Sequence, residues 1–130
     1  MITIMKSNYN YCKKIIRKYT PDITVIESDM IFIINDREEI KGYIVISKKY
    51  DDFYIKSLYV LNQFRGDYLG DGLLRTSLNF LRLKNIKSIK YYGFCEYLKE
   101  KEFKIQENNM ICNIDNFFDG NKCRGINNEK

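Results

Sequence analysis

The middle of the chain is dominated by three hydrophobic runs that short polar segments separate. They are "MIFIIND" at residues 30–36, "IKGYIVIS" at 40–47 and "FYIKSLYVL" at 53–61. β-Branched and aromatic residues favour extended chain, and turns of a few residues join strands that pair antiparallel. The pattern therefore predicts an antiparallel meander, and "MITIM" at residues 1–5 predicts one further edge strand.

Helical spacing of apolar residues occurs in two segments. The first begins after Ser7 or Asn8, either of which can cap a helix, and ends at Tyr19, because Pro21 cannot continue the helical ladder. The second runs from Leu69 to about residue 84, with charged and polar residues on the opposite face. Its apolar face consists of Leu73, Leu74, Ser77, Leu78 and Leu81.

A further strand, "IKSIKYYGF" at residues 86–94, follows the second helix. Strand, helix and strand at this spacing form a crossover unit, so strands 53–61 and 88–92 are expected to be parallel. A short helix is predicted at 96–102, and "FKIQE" and "MICNI", separated by Asn108–Asn109, predict a closing hairpin. The predicted fold class is α+β, a mixed α/β domain spanning residues 1–130 with a mostly antiparallel sheet.

The C-terminal segment divides into two parts. Phe117 and Phe118 are expected to dock on the domain, because large aromatic side chains are usually buried. Residues 118–130 are predicted to form a partly flexible tail, since the end of the chain is polar.

Composition excludes several kinds of site. The chain contains no histidine, which rules out Cys/His zinc sites and Ser–His or Cys–His catalysis, and no metal site is predicted. The four cysteines are widely spaced and are expected to be reduced thiols. No apolar run is long enough to span a membrane and the first residues lack the order of a signal peptide, so the expected location is the cytoplasm.

The charge balance is basic. The formal net charge is +5, from 22 basic and 17 acidic residues. Such a balance suits a nucleic acid, an acidic partner or a polyanionic cofactor. Because the lysines are spread along the chain and form no long basic block, nucleic-acid binding is disfavoured.

The stretch "LNQFRGDYLGDGLL" at residues 61–74 holds three of the seven glycines in the chain. It lies between the carboxyl end of a predicted parallel strand and the start of its crossover helix. Free amides and the positive end of the helix dipole make this junction an anion site, and glycine lets the main chain approach a phosphate. A turn between two elements also needs glycine, so the stretch by itself leaves both interpretations open.

The order of elements, together with this stretch, resembles the GNAT superfamily of acyl-CoA-dependent N-acyltransferases. The family signature is Gln or Arg, two residues, Gly, one residue, and Gly or Ala, with paired leucines shortly after. Arg65, Gly70 and the pair Leu73–Leu74 match it in register, while Tyr68 stands at the first glycine. The later "YLKEKEF" at residues 97–103 is similar to the family's "YEKxGF", with Glu102 at the glycine. The resemblance implies a sheet with a splayed parallel strand pair joined by a crossover helix.

The same resemblance implies acetyl-CoA as the acyl donor. The amides of residues 65–71 would cradle its diphosphate. Arg65 would add charge, as would Arg75 unless it is simply an exposed helix residue. The pantetheine arm would lie along strand 53–61, where an amide near Tyr59 or Val60 would face the thioester oxygen. The predicted cofactor-binding residues are Leu58, Tyr59, Val60, Arg65, Gly66, Asp67, Tyr68, Leu69, Gly70 and Asp71.

The family often supplies a general acid from a tyrosine on the helix after the fifth strand. Tyr97 is the candidate here, although Leu98 stands at the usual tyrosine position, and a shift of one residue turns a helical side chain by about 100°. Tyr91 or Tyr92 could take the role instead.

The family frequently uses a glutamate on the fourth strand as general base, and Lys56 occupies that region here. The nearest acids are Asp51 and Asp52 in the preceding turn, and Glu27 is a more distant alternative. A water chain, or an acceptor amine of low pKa, needs no dedicated base.

The function that follows from the resemblance is direct transfer of an acetyl group from acetyl-CoA to a primary amine. The acceptor could be a small molecule, a peptide or a protein, and an edge strand or the phenylalanine-bearing tail could support a homodimer. Two alternatives stay open: a non-catalytic acyl-CoA-binding module on the same fold, and a small basic nucleic-acid-binding protein.

Overall fold

A mixed β-sheet forms the centre of a computed structural model, which describes residues 1–66 and 68–119. Within these residues the sheet has seven strands in the order β1-β2-β3-β4-β5-β7-β6. The strands are β1 Ile2–Ser7, β2 Met30–Asp36, β3 Glu39–Lys49, β4 Asp52–Val60, β5 Ser88–Tyr92, β6 Lys104–Gln106 and β7 Asn109–Asn113. Three helices are α1 Tyr9–Tyr19, α2 Leu69–Leu83 and α3 Glu96–Lys99, a 3₁₀ turn spans Asn62–Phe64, and a further helical segment, residues 114–119, follows β7.

The two longer helices cover opposite faces of the sheet. Asn8 caps α1 by accepting a hydrogen bond from the Tyr11 amide, and α1 packs Cys12 and Ile16 against β2 and β3. Helix α2 packs its predicted apolar face on the other side, over a larger core. The side chains that α2 buries there are Leu73, Leu74, Ser77, Leu78 and Leu81, which are the five predicted from their spacing.

A single parallel pair of strands, β4 and β5, joins two antiparallel parts of the sheet. It holds just two residue pairs, Tyr54 with Lys90 and Ile55 with Tyr91, and we call this junction the seam. Beyond the seam β4 continues to Val60 while β5 ends at Tyr92, so the strands splay apart. The predicted fold class, a mostly antiparallel mixed sheet with a splayed parallel pair and a crossover helix, is therefore confirmed.

A β-bulge lies at the start of the splay. Val45 pairs with Ser57 and Ile46 pairs with Ile55, so that Lys56 is the extra residue on β4. A bulge bends its strand and increases the local twist, which helps β4 to turn away from β5.

Two boundaries near the C-terminus differ from the sequence prediction. Helix α3 ends at Lys99 instead of residue 102, because Glu102 adopts a left-handed φ of 72° and the Leu98 carbonyl accepts hydrogen bonds from the Lys101 and Phe103 amides. The hairpin is present, but Gln106 pairs with Asn109, so its turn consists of residues 107 and 108 rather than 108 and 109.

The phenylalanines after β7 dock as predicted. Residues 114–119 are helical, Phe117 is buried in the larger core and Phe118 packs against it. Phe118 therefore belongs to the packed part of the chain, which corrects the predicted start of the tail at residue 118. The rest of the predicted flexible tail, residues 120–130, lies outside the described residues.

Candidate functional site

A cavity of about 520 Å³ lies on the open side of β4, beyond the seam. Three segments surround it: the end of β4, the loop that leads into the first turn of α2, and the segment around α3. Its lining residues are Leu58, Tyr59, Val60, Phe64, Arg65, Gly66, Tyr68, Leu69, Gly70, Asp71, Cys95, Tyr97, Glu100 and Lys101. The volume falls within the range of small-molecule sites, about 300–1,000 Å³.

The structure brings the predicted site residues together. Nine of the ten predicted cofactor-binding residues line this one cavity, and so does Tyr97. The tenth, Asp67, lies outside the described residues. The sequence prediction missed Phe64, Cys95, Glu100 and Lys101. Lys101 lies in the turn that follows α3, but the helix predicted at 96–102 would have placed it on the same face as Tyr97, four residues earlier.

The backbone of β4 offers hydrogen-bonding groups to the cavity. The Leu61 amide donates to the Lys41 carbonyl on β3 at 2.9 Å. The backbone amide and carbonyl groups of successive residues point to opposite sides of a strand. The Tyr59 amide therefore also points to β3, whereas the amides and carbonyls of Leu58 and Val60 point to the open side. The Val60 carbonyl agrees with this assignment, since it accepts a hydrogen bond from the Arg65 Nε at 2.7 Å. Of the two amides considered from the sequence, that of Val60 thus faces the cavity.

The first turn of α2 also presents its backbone to the cavity. Within the described chain, the helical ladder begins with the Gly72 amide, which donates to the Tyr68 carbonyl at 3.0 Å. The amides of Leu69, Gly70 and Asp71 come before it and have no acceptor inside the helix. Unpaired amides at the positive end of a helix dipole favour an anion.

The three glycines of the loop have three different environments. Gly66 adopts a φ of 91°, which glycine reaches without steric cost. A Cβ at Gly70 would face the Tyr97 hydroxyl at 3.5 Å and Val60 Cγ2 at 3.7 Å, at the wall of the cavity. A Cβ at Gly72 would clash with Ile4, so this glycine lets α2 sit close to β1. Both interpretations of the stretch therefore have a physical basis, a turn at Gly66 and an open wall at Gly70.

Tyr97 forms part of a small polar cluster in the cavity. Its hydroxyl donates to Asp71 Oδ1 at 3.2 Å, and the Lys101 ammonium contacts the same oxygen at 2.8 Å. Burial raises the pKa of Tyr97 well above its ordinary value, and the Asp71 carboxylate raises it further. The hydroxyl consequently keeps its proton throughout the neutral range.

Leu98, at the helix position that the family resemblance assigns to tyrosine, does not line the cavity. Leu98 is buried in the larger core, where it contributes to the packing under α3. Tyr97, one residue earlier, lines the cavity instead. The tyrosine thus stands one residue before the family's position, and its hydroxyl still reaches the cavity.

The other candidate residues lie elsewhere. Tyr91 packs against the larger core, and the Tyr92 ring packs at a tilt against the Tyr54 ring, with ring centroids 4.8 Å apart. Asp52 forms an ion pair with Lys90 at 3.1 Å, and the Arg75 guanidinium lies 5.5 Å from the Phe118 ring centroid. None of these residues lines the cavity.

On the α1 side of the bulge, Lys56 is engaged in a buried network. Its ammonium contacts Asp29 Oδ2 at 2.8 Å and donates to the Thr24 carbonyl at 2.6 Å. The Asp29 side chain is completely buried, and its Oδ1 has no hydrogen-bond partner among the described residues. Glu27, in the same loop, is exposed.

The sequence matches the model of the acetyltransferase (GNAT) family over residues 5–97. The chain belongs to the GNAT family. The matched region of this family member contains the seam, the glycine-rich loop and Tyr97. A search among curated proteins finds no match.

Solved GNAT structures share the fold of this family member at low sequence identity. A Brucella melitensis acetyltransferase in complex with acetyl-CoA is 16% identical, with a TM-score of 0.67 over 87% of this chain and 88% of that chain. The Escherichia coli N-acetyltransferase YhbS in complex with CoA is 13% identical, with a TM-score of 0.68 over 92% and 85%. A Staphylococcus aureus acetyltransferase is 15% identical, with a TM-score of 0.66 over 88% and 99%.

None of the helices in residues 1–66 and 68–119 is long and apolar enough to cross a membrane. The same residues contain no group of three or more Cys, Asp or Glu side chains placed to hold a metal ion.

Proposed function

We propose that this family member is an N-acetyltransferase that moves an acetyl group from acetyl-CoA directly to a primary amine. One observation carries the proposal. The open side of β4, the first turn of α2 and the hydroxyl of Tyr97 all border the same cavity. A thioester donor needs these three features: hydrogen-bond partners for its amide-containing arm, a binding site for its phosphates and a proton donor near its sulfur.

The first turn of α2 is suited to the diphosphate. The amides of Leu69, Gly70 and Asp71 provide hydrogen-bond donors, and Gly70 has no side chain that would keep a phosphate away from them. Arg65 and Lys101 add positive charge at the cavity wall. The negative charge of Asp71 is partly neutralised by Lys101, at 2.8 Å, which reduces its repulsion of a phosphate.

The open side of β4 is suited to the pantetheine arm. Beyond the seam, β4 has no neighbouring strand on this side in the described structure, so the Leu58 backbone and the Val60 amide are left for a ligand, while the Val60 carbonyl accepts from Arg65. The amides of pantetheine can pair with them as an added strand would. A β4 amide on this side can also donate to the thioester oxygen and stabilise the charge that develops there.

The chemical step needs an attacking amine and a departing thiolate. The amine nitrogen bonds to the thioester carbon, the carbon–sulfur bond breaks, and the sulfur takes a proton. We assign that proton to Tyr97, whose hydroxyl borders the cavity and carries its proton at neutral pH. Since a free thiol has a pKa of about 8.5, the thiolate is a good leaving group and the assistance required is modest.

The amine must lose a proton during the reaction, and no carboxylate on β4 is placed to take it. Lys56 is paired with Asp29, and Asp52 is paired with Lys90. We therefore propose that water, or the low pKa of the acceptor amine, replaces a dedicated base. The acceptor is a small molecule or a peptide with a primary amine, and the cytoplasm, the location expected from the sequence, supplies acetyl-CoA.

The proposal is tested by measuring thiol release from acetyl-CoA with a panel of primary amines. A thermal-shift screen with acetyl-CoA, longer acyl-CoAs and nucleotides precedes it and selects the donor, because a ligand that binds the folded state raises Tm. Amine-dependent thiol release, together with the acetylated amine by mass spectrometry, is the expected result. Stabilisation by nucleic acid but not by CoA would contradict the proposal.

A second candidate is a non-catalytic acyl-CoA-binding module. The observation that favours it is the buried pair of Lys56 and Asp29, which occupies the bulge where the family resemblance predicts a base. Binding of acetyl-CoA without thiol release across the whole amine panel would support this candidate. Amine-dependent release at any substantial rate would exclude it.

A further inference from the structure

Tyr68 is an aromatic residue with an unusual backbone at the mouth of the cavity. It immediately precedes α2, and its φ of 61° lies in the left-handed region. Residues other than Gly, Asn and Asp adopt this conformation infrequently, although Tyr50 of this chain also has it. The exposed aromatic ring of Tyr68 therefore needs a physical reason beyond its backbone.

The fold provides no such reason in the described residues. The residue is 82% exposed, and among the described residues its side chain neither caps α2 nor makes a ring contact or hydrogen bond. The ring does not contribute to either core cluster. What it has instead is a place beside the cavity, which Tyr68 lines.

The position of Tyr68 relative to the proposed donor site indicates which part of a ligand it meets. A diphosphate at the first turn of α2 would have two substituents that leave in opposite directions. One follows β4 inward past Val60 and Leu58, and the other must leave outward, past the residue that precedes the helix. In CoA the inward substituent is the pantetheine arm and the outward one is the adenosine.

We propose that the ring of Tyr68 stacks on the adenine of the donor and makes this site selective for CoA over shorter pantetheine carriers. The inference rests on the proposed function, because it takes the cavity to be the donor site. Stacking between an aromatic side chain and a base requires an exposed ring face, which Tyr68 has. It does not require the phenolic hydroxyl.

The chain contains a matched control for this residue. Tyr50, in the turn between β3 and β4, has a φ of 58° and is 88% exposed, close to the values for Tyr68. It does not line the cavity. Replacing either tyrosine by glycine relieves the same backbone strain and removes the same exposed ring, so the two variants differ in their position relative to the cavity.

The experiment measures Kd by titration calorimetry for two ligands, CoA and pantetheine 4′-diphosphate, which keeps the diphosphate and lacks the 3′-phosphoadenosine. The proteins are wild type, Tyr68→Gly, Tyr68→Phe and Tyr50→Gly. We expect Tyr68→Gly to raise the Kd for CoA about 10-fold, equivalent to about 1.4 kcal/mol, and to leave the Kd for pantetheine 4′-diphosphate unchanged. Tyr68→Phe and Tyr50→Gly should bind both ligands like wild type.

Three results would overturn the inference in distinguishable ways. An unchanged Kd for CoA in Tyr68→Gly means that the ring does not contact the adenosine. Equal losses for both ligands mean that the backbone of the loop matters and the ring does not. Failure of the wild-type protein to bind CoA at all removes the proposed function, and this inference with it.

Discussion

Two ion pairs in this protein have the same chemistry and the same length but different surroundings. Lys56–Asp29 and Lys101–Asp71 each join a lysine ammonium to a carboxylate oxygen at 2.8 Å. In the first pair the side chains are 15% and 0% exposed, and in the second both are 30% exposed. The first lies at the β4 bulge on the α1 side of the sheet, and the second lies in the cavity.

The difference shows how burial separates a structural polar group from one that is available to a ligand. Lys56 also donates to the Thr24 carbonyl and ties the loop before β2 to β4, so its charge is used within the fold. Lys101 and Asp71 stay accessible from the cavity and can exchange partners when an anion arrives. We expect the first pair to control stability and the second to control ligand binding.

The largest expected effect comes from Lys56→Met, which removes one charge of the buried pair and keeps the length of the side chain. It leaves the Asp29 carboxylate buried and uncompensated, with an Oδ1 that already lacks a partner in the described residues. We expect a loss of about 3 kcal/mol in the free energy of unfolding. Urea unfolding followed by circular dichroism measures it.

The double variant Lys56→Met/Asp29→Leu is the control for that prediction. It removes both charges, and apolar replacement of a buried pair is often neutral. Recovery of most of the lost stability is expected. A double variant as unstable as Lys56→Met would show that the network with Thr24, rather than the uncompensated charge, accounts for the loss.

Next in size is Tyr97→Phe, which tests the cavity side of the comparison. The change removes the proposed proton donor and leaves the ring, so the Kd for CoA should hold while turnover falls about 100-fold. Because the pKa of Tyr97 is raised, its hydroxyl stays protonated below pH 10, and the wild-type rate should show no decline from this group between pH 7 and 9.5.

Tyr92→Phe serves as the control, since it removes a hydroxyl that does not line the cavity. Near-normal turnover in a folded Tyr97→Phe protein would transfer the role to water. A decline of the wild-type rate near pH 9 that disappears in Tyr97→Phe would contradict the direction of the pKa shift.

A smaller effect is expected from Gly70→Val. A branched side chain at the cavity wall would crowd a phosphate and cost one charge-assisted hydrogen bond, raising the Kd for CoA about 30-fold. Gly70→Ala is the graded comparison, since its Cβ would make contacts of 3.5 and 3.7 Å, which are ordinary. If a folded Gly70→Val protein binds CoA like wild type, the phosphates do not approach this turn.

The smallest stability effect should come from Lys101→Met, which is the counterpart of Lys56→Met. Because this pair is partly exposed, we expect a change of less than about 0.5 kcal/mol in the free energy of unfolding. The Kd for CoA should rise about five-fold, because a cation near the diphosphate is lost. A stability loss equal to that of Lys56→Met would remove the distinction between the two pairs.

Most of the fold follows from local patterns in the sequence. The β-branched runs and the helical spacing of leucines depend on neighbours along the chain, and they predict the meander and the face of α2 correctly. The end of α3 was missed because Glu102 takes a left-handed conformation that glycine usually occupies, and this residue type gives no sign of it. The bulge at Lys56 has no local signal either, because it depends on the register between two strands.

The candidate site likewise has features that local sequence predicts and features that depend on the fold. The glycine-rich loop and Tyr97 are recognisable because their residues lie close in sequence to a signature. The pair of Lys56 and Asp29 could not be predicted, because the two residues are 27 positions apart and meet only through the order of the strands. The direction of the Tyr97 side chain also required the structure, since Leu98 is one helical step away and is buried.

The seam has a mechanical consequence. A force that pulls β1 away from β7 in the plane of the sheet must cross two residue pairs between β4 and β5, compared with eight between β3 and β4. Helix α2 packs mainly on β1 to β4, and β5, β7 and β6 form the other half of the sheet, which the core under α2 reaches through Ile89 and Met110. The cavity has one wall in each half of the sheet and lies at the end of the seam, where separation of the two halves would begin. A ligand that contacts both walls would hold the halves together and raise the force needed to separate them.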